Sequence, residues 1–129
     1  MASQQFIHWE DIFLNKFIPQ YNEFNEFYNL NINSNLLIEK YVSLFATSIL
    51  VMKIFLANNG IFIADGNRNF IREFYNMELI NLGRLWMEAT TLVEQAHEES
   101  IQPILLTFAK TEKCLQIYKE LKDVLMELI

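Results

Sequence analysis

Residues Phe70 to Ala89 read FIREFYNMELINLGRLWMEA. Phe70, Ile71 and Phe74, with Tyr75 beside them, return at the three- and four-residue spacing of one helix face. Leu85, Trp86 and Ala89 resume that spacing after a Leu79-Ile80-Asn81-Leu82-Gly83 corner. Two helices meeting at a short corner, with a large aromatic just past it, imply a helical bundle in which Trp86 is a core anchor.

Working outward, the same period recurs. Phe6, Trp9, Phe13, Phe17, Tyr21, Phe24 and Phe27 or Tyr28 mark a first helix from about Phe6 to Leu30, which Pro19 is expected to bend or divide. Asn29 to Asn35 is a turn cluster, with Ser34 or Asn35 as cap of a second helix that runs to about Ala57. Gly60 to Asn67 is the longest loop, and Asp65 or Gly66 caps a third helix from Asn67 to Asn76. A fourth runs from about Leu82 to Glu98 with Leu85, Trp86, Ala89, Leu92, Val93 and Ala96 inward. Ser100 caps a fifth, with Pro103 in its first turn and a stripe of Ile104, Phe108, Leu115, Tyr118, Leu121, Leu125 and Leu128. With 129 residues, 52% apolar, 14% aromatic, three Gly and two Pro, the expectation is one all-α domain over 1–129, an up-and-down antiparallel bundle of about five helices.

The second helix is unusual, because Tyr41 to Met52, YVSLFATSILVM, carries no charge. Lys53 and the Asn58-Asn59-Gly60 stop interrupt it short of the roughly 20 apolar residues that a membrane span needs. A helix apolar all round is then expected to be buried on all sides, against the core on one face and a second subunit on another. Phe45 and Ile49 are the residues expected at that homodimer interface.

Charge and side-chain inventory exclude several functions. Sixteen acidic against ten basic residues give a net charge of −6, which disfavours nucleic acid as a partner. The single Cys114 forms no internal disulfide, and MASQQFIHWED lacks the regions of a signal peptide, so a cytoplasmic location is the default. His8, His97 and one distant Cys make no metal site, and Gly60, Gly66 and Gly83 are too scattered for a phosphate loop, so no metal or cofactor is expected. Asp65-Gly66-Asn67-Arg68 suits either an anion or simple capping. The carboxylate pairs Glu23 with Glu26 and Glu98 with Glu99 lie in polar sequence, and Cys114 reads as a small packing residue. Glu88, two positions past Trp86, is placed to point across an interface or a groove.

From Leu36 to Ala89 the chain resembles the nucleotidyltransferase substrate-binding protein family, a branch of the HEPN superfamily of helical bundles. The resemblance rests on the apolar helix ending in Met52-Lys53 and Leu56, on Asn58-Asn59-Gly60-Ile61, and on Asn67-Arg68. It continues through Phe70 to Phe74, Leu79-Ile80, Gly83 and Leu85-Trp86-Met87-Glu88. It implies a dimeric bundle that works beside a small nucleotidyltransferase, often as a toxin–antitoxin module in which the HEPN member is a metal-independent ribonuclease. That chemistry uses an Arg, usually followed by Asn, a few residues before a His. Here the Arg position falls on Leu92 or Val93, and Glu94, Glu98 and Glu99 surround His97. The expected function is therefore non-catalytic binding of a nucleotidyltransferase, with Glu88, Glu94 and His97 as partner-binding or ligand-binding residues. The alternatives are a ribonuclease toxin built around His97, completed by Arg84 or Arg72 of a second subunit, and a structural helical interaction protein.

Overall fold

In the computed structural model, which describes residues 7–30 and 35–129, the described chain is helical with no strand. Helices α1 (Trp9–Ile12) and α2 (Ile18–Asn29) are joined without a break by π-helical turns over Phe13–Phe17. There follow α3 (Asn35–Asn58), α4 (Asn67–Asn76), α5 (Gly83–Glu94), α6 (Gln102–Ala109) and α7 (Glu112–Leu128). The all-α bundle read from the sequence is the architecture. Phe6 as a helix start and Ser34 as a cap lie outside the described residues.

Pro19 acts upstream of itself. As the second residue of α2 it has no N–H to give, and its ring needs space against the preceding turn. The wider π turn supplies that space, with the Ile18 N–H reaching the Phe13 carbonyl. The inner face stays continuous, and Trp9, Phe13, Phe17 and Tyr21 form a ladder with ring centroids 6.0, 5.3 and 6.1 Å apart.

Helix α3 is the axis around which the others pack. It is long and apolar enough to cross a membrane by length and composition, but twelve of its residues are buried within the bundle. Helices α1, α2, α4 and α6 cover it, leaving only a narrow line through Leu36, Glu39, Ser43, Ala46, Lys53 and Ala57 exposed. Phe45 and Ile49, expected at a subunit interface, are inside the protomer at 1% and 7% exposure, and the Phe45 ring lies 6.2 Å from Trp86. The chain's own short helices wrap its one long helix, so its all-round apolarity requires no second subunit.

The end of α3 is a Schellman turn. The Ile61 N–H donates to the Leu56 carbonyl at 2.8 Å and the Gly60 N–H to Ala57 at 3.0 Å, with Gly60 at φ +74° where a side chain would be strained. Asn58 also reaches across the bundle, accepting from the Trp9 N–H at 2.8 Å and donating to the Ile7 carbonyl at 3.0 Å. Asp65 does not cap α4; its carboxylate lies 3.5 Å from Lys53, and Gly66 opens the helix.

The expected fifth helix is two. A break at Lys110 and Thr111 separates α6 from α7, and the Thr111 hydroxyl accepts from the Cys114 N–H to cap α7. The break shifts the phase of the apolar stripe. Leu105, Ala109, Cys114 and Ile117 join Tyr118, Leu121 and Leu125 in the core, whereas Ile104 and Leu128 are about half exposed. Similarly, Tyr75 on α4 is 53% exposed rather than part of the core face of Phe70, Ile71 and Phe74.

Candidate functional site at helix α5

The pose of α5 follows from one carboxylate that sequence reading did not single out. Glu120 on α7 accepts from the Asn81 N–H at 2.6 Å, the Leu82 N–H at 3.1 Å and the Trp86 indole N–H at 3.0 Å. It neutralises free amides at the start of α5, where the helix dipole favours negative charge, and fixes the rotation of the helix through the indole. Trp86 is fully buried, packed edge-on to Tyr118 at 5.9 Å. The Tyr118 hydroxyl in turn donates to the Tyr41 carbonyl at 3.1 Å, tying α7 to α3.

On its other flank α5 is left uncovered. A groove of about 650 Å³ runs between α5 and α6, walled by Leu92, Pro103, Ile104, Thr107 and Phe108, with Glu88, Thr91 and Thr111 at its margins. Its volume lies within the range of small-molecule pockets. Its three threonine hydroxyls donate to backbone carbonyls of their own segments, Thr91 to Met87, Thr107 to Pro103 and Thr111 to Phe108. Glu88 is thereby the one ionisable residue on the groove wall, exposed and without an ion-pair partner among the described residues.

Behind Phe108 stands the Tyr41 ring, 6.0 Å away and edge-on. Tyr41 is completely buried and its hydroxyl has no hydrogen-bond partner, a condition that costs about 1–3 kcal/mol. Burial holds that hydroxyl well above its ordinary pKa, with the nearby Cys114 and the Glu88 carboxylate acting in the same direction and the neighbouring Tyr118 hydroxyl against it. The Cys114 thiol is likewise pushed up by burial, to about 12, which makes it a poor nucleophile.

The three residues expected to act together are not brought to one place. Glu88 borders the groove. Glu94, two turns along α5, faces α4, where Arg68 reaches its carboxylate at 2.6 Å and the Thr91 hydroxyl at 2.9 Å. Helix α5 ends at Glu94, so His97 lies on an exposed turn beyond it and does not line the groove. Arg84, at the opposite end of α5, is separated from Glu94 by roughly 15 Å of helix at 1.5 Å per residue. Within one protomer it cannot complete a ribonuclease pair with His97.

No group of His, Cys, Asp and Glu among the described residues is arranged to hold a metal ion. The signals that sequence reading passed over were local: Thr111 followed by Glu112 is a helix start, and recognising it would have released Ile104 from the core stripe. No protein-family model matches this chain, and no curated protein is similar to it in sequence.

Proposed function

We propose that this protein is a non-catalytic helical interaction module that binds a partner protein, of the nucleotidyltransferase type to which its resemblance points, through the groove between α5 and α6. The observation that carries the reading is the groove itself. It is an apolar trough beside a closely packed core, with a single carboxylate, Glu88, on its rim that has no ion-pair partner among the described residues. Apolar anchors filling such a trough supply binding energy, and an arginine or lysine of the partner meeting Glu88 supplies orientation. Glu94 and His97 lie outside the groove; Glu94 joins α4 to α5 through Arg68.

The test is titration calorimetry against the product of the neighbouring gene, once its sequence shows a nucleotidyltransferase signature. Ile104→Asp and Glu88→Arg are each expected to weaken binding about tenfold or more, while His97→Ala leaves it unchanged. Absence of binding, or binding indifferent to both groove substitutions, removes the assignment. Cleavage of RNA in the presence of chelator, abolished by His97→Ala, would replace it with the ribonuclease reading.

A further inference from the structure

Where α4 ends and the chain turns toward α5 lies a hollow of about 540 Å³, bordered by Tyr75, Asn76, Glu78, Ile80 and Asn81. None of these residues lines the groove between α5 and α6.

The turn that shapes this hollow occurs twice in the chain. At the end of α4 the Leu79 N–H donates to the Phe74 carbonyl at 2.9 Å and the Glu78 N–H to Tyr75 at 3.0 Å, the same pair of bonds that ends α3. In α3 the pivot is Gly60, at φ +74°. In α4 it is Glu78, at φ +62°, the one non-glycine residue with positive φ among the described residues. A side chain there crowds the following carbonyl, and glycine or asparagine would serve the turn at less cost. The charge is also of the unfavoured sign. The last carbonyls of a helix form its negative end, which attracts a cation, yet Glu78 sets a carboxylate just past them. No Lys, Arg or His lies within ion-pair distance of that carboxylate among the described residues. A carboxylate kept for solubility alone would sit on any exposed helical turn without either cost, and strain of this kind concentrates at ligand sites.

We propose that the hollow binds a guanidinium group, stacked on the Tyr75 ring and hydrogen-bonded to the Glu78 carboxylate, with the Asn76 and Asn81 side-chain amide oxygens as further acceptors. Tyr75 is 53% exposed, and its ring rests on the backbone at Gly83, where an added Cβ would stand 2.9 Å from the ring's Cδ2 atom. The ring is held by the backbone while part of it stays open, which suits a cation laid over its face. Glu120 adds a second negative charge close by, its carboxylate accepting the Asn81 backbone N–H at 2.6 Å. A carboxylate matches two guanidinium N–H groups at once, and the flat, delocalised ion stacks on an aromatic ring where a compact ammonium keeps its water.

A divalent metal ion fits less well. Glu78 is the one carboxylate on the wall, and no group of His, Cys, Asp and Glu among the described residues is arranged to hold such an ion. Arg72 and Arg84 border an adjoining hollow that shares Tyr75 and Asn81, and neither lines this one. Their repulsion is screened by water, whereas Glu78 meets the cation directly, and the net charge of −6 favours its approach.

Small amines such as agmatine and arginine side chains of other proteins both carry this group. The experiment is an NMR titration of the intact chain with agmatine, Nα-acetyl-arginine amide, the corresponding lysine amide and the neutral citrulline amide. The arginine amide should shift the backbone signals of residues 75–81 along a saturable curve, the citrulline amide should not, and the lysine amide should bind several-fold more weakly. Glu78→Gln, which keeps the shape and loses the charge, should weaken binding about tenfold. Glu127→Gln, an equal change of net charge at the exposed end of α7, should leave it unchanged. Glu78→Gly should raise the melting temperature while abolishing binding, because it relieves the turn and removes the carboxylate. Tyr75→Leu should narrow the difference between arginine and lysine. Binding of agmatine without the arginine amide identifies a free small cation as the occupant, and binding of both extends the site to an arginine presented by another protein. Citrulline binding as tightly as arginine, binding unaffected by Glu78→Gln, a less stable Glu78→Gly variant, or no shift by any guanidinium compound at millimolar concentration would overturn the proposal.

Discussion

The flank of α5 that faces α7 and the flank that faces α6 carry comparable side chains and meet opposite fates. Against α7, a carboxylate accepts three hydrogen bonds and the largest side chain of the helix is fully enclosed. Against α6, a carboxylate has no partner and Ile104 stands 53% exposed beside Leu92 and Phe108. The closed flank removes apolar area from water at about 25 cal/mol per Å², whereas the open flank leaves that gain uncollected. Residues of the first kind hold the fold, and residues of the second kind are available to something else.

The comparison breaks most severely at Trp86. Trp86→Ala empties a fully buried site among Phe45, Tyr118 and α7, and a loss of about 3–5 kcal/mol in urea unfolding is expected. A loss below about 1 kcal/mol would mean that the closed flank contributes little to stability. Next comes Glu120→Ala, which strands two backbone amides and the indole N–H, for about 1–3 kcal/mol. Combined with Trp86→Phe, which removes the indole donor, its effect should be less than additive, because both substitutions delete the same bond. Strict additivity in that cycle would contradict the shared joint.

A pH series probes the core behind both flanks. Burial raises the Cys114 thiol from 9.0 to about 12, so between those values the folded state keeps a proton that the unfolded chain releases. Stability is therefore intact below about pH 9 and falls as pH rises, by about 1.4 kcal/mol per pH unit for one such group. Tyr41 and Tyr118, raised by burial in the same sense, steepen the fall above about pH 10. Urea midpoints at pH 7, 9 and 10 measure it, and Cys114→Ala should flatten the step between the last two. An unchanged slope in that variant would exclude the thiol as its source.

The smallest effect is expected on the open flank. Glu88→Gln should alter stability by no more than about 0.5 kcal/mol, since the carboxylate has no partner to lose. A loss approaching that of Glu120→Ala would erase the contrast between the two flanks and place Glu88 among the residues that hold the bundle together.

Much of the fold was legible in the residues. Helix α4 begins at Asn67 and ends at Asn76 as the period of Phe70, Ile71 and Phe74 indicates, and Asn58-Asn59-Gly60 ends α3 because Gly60 takes the positive φ of a Schellman turn. Fold class and the burial of Trp86 followed from the same periodicity. Less of the candidate site was legible. Glu88 was singled out and borders the groove, but Ile104 and Phe108 were assigned to the core, because a stripe extended through Thr111 loses its phase at the break between α6 and α7. Tyr75 was set at the edge of a core face, although its ring lies out over Gly83.

What the sequence determined by itself is local: where the chain becomes helical, where glycine and proline interrupt it, and which face of each helix is apolar. These follow from three- and four-residue spacing and from the conformational limits of single residues. Only the tertiary structure decided which neighbour covers each face. Phe45 packs against Trp86 and Ile49 is buried in the core of its own protomer because short helices wrap one long one, and no spacing within α3 encodes that. Glu120 meets Trp86 from 34 positions away and Asn81 from 39. Such a partnership depends on how α7 is rotated and seated against α5, and packing of the whole core sets that geometry.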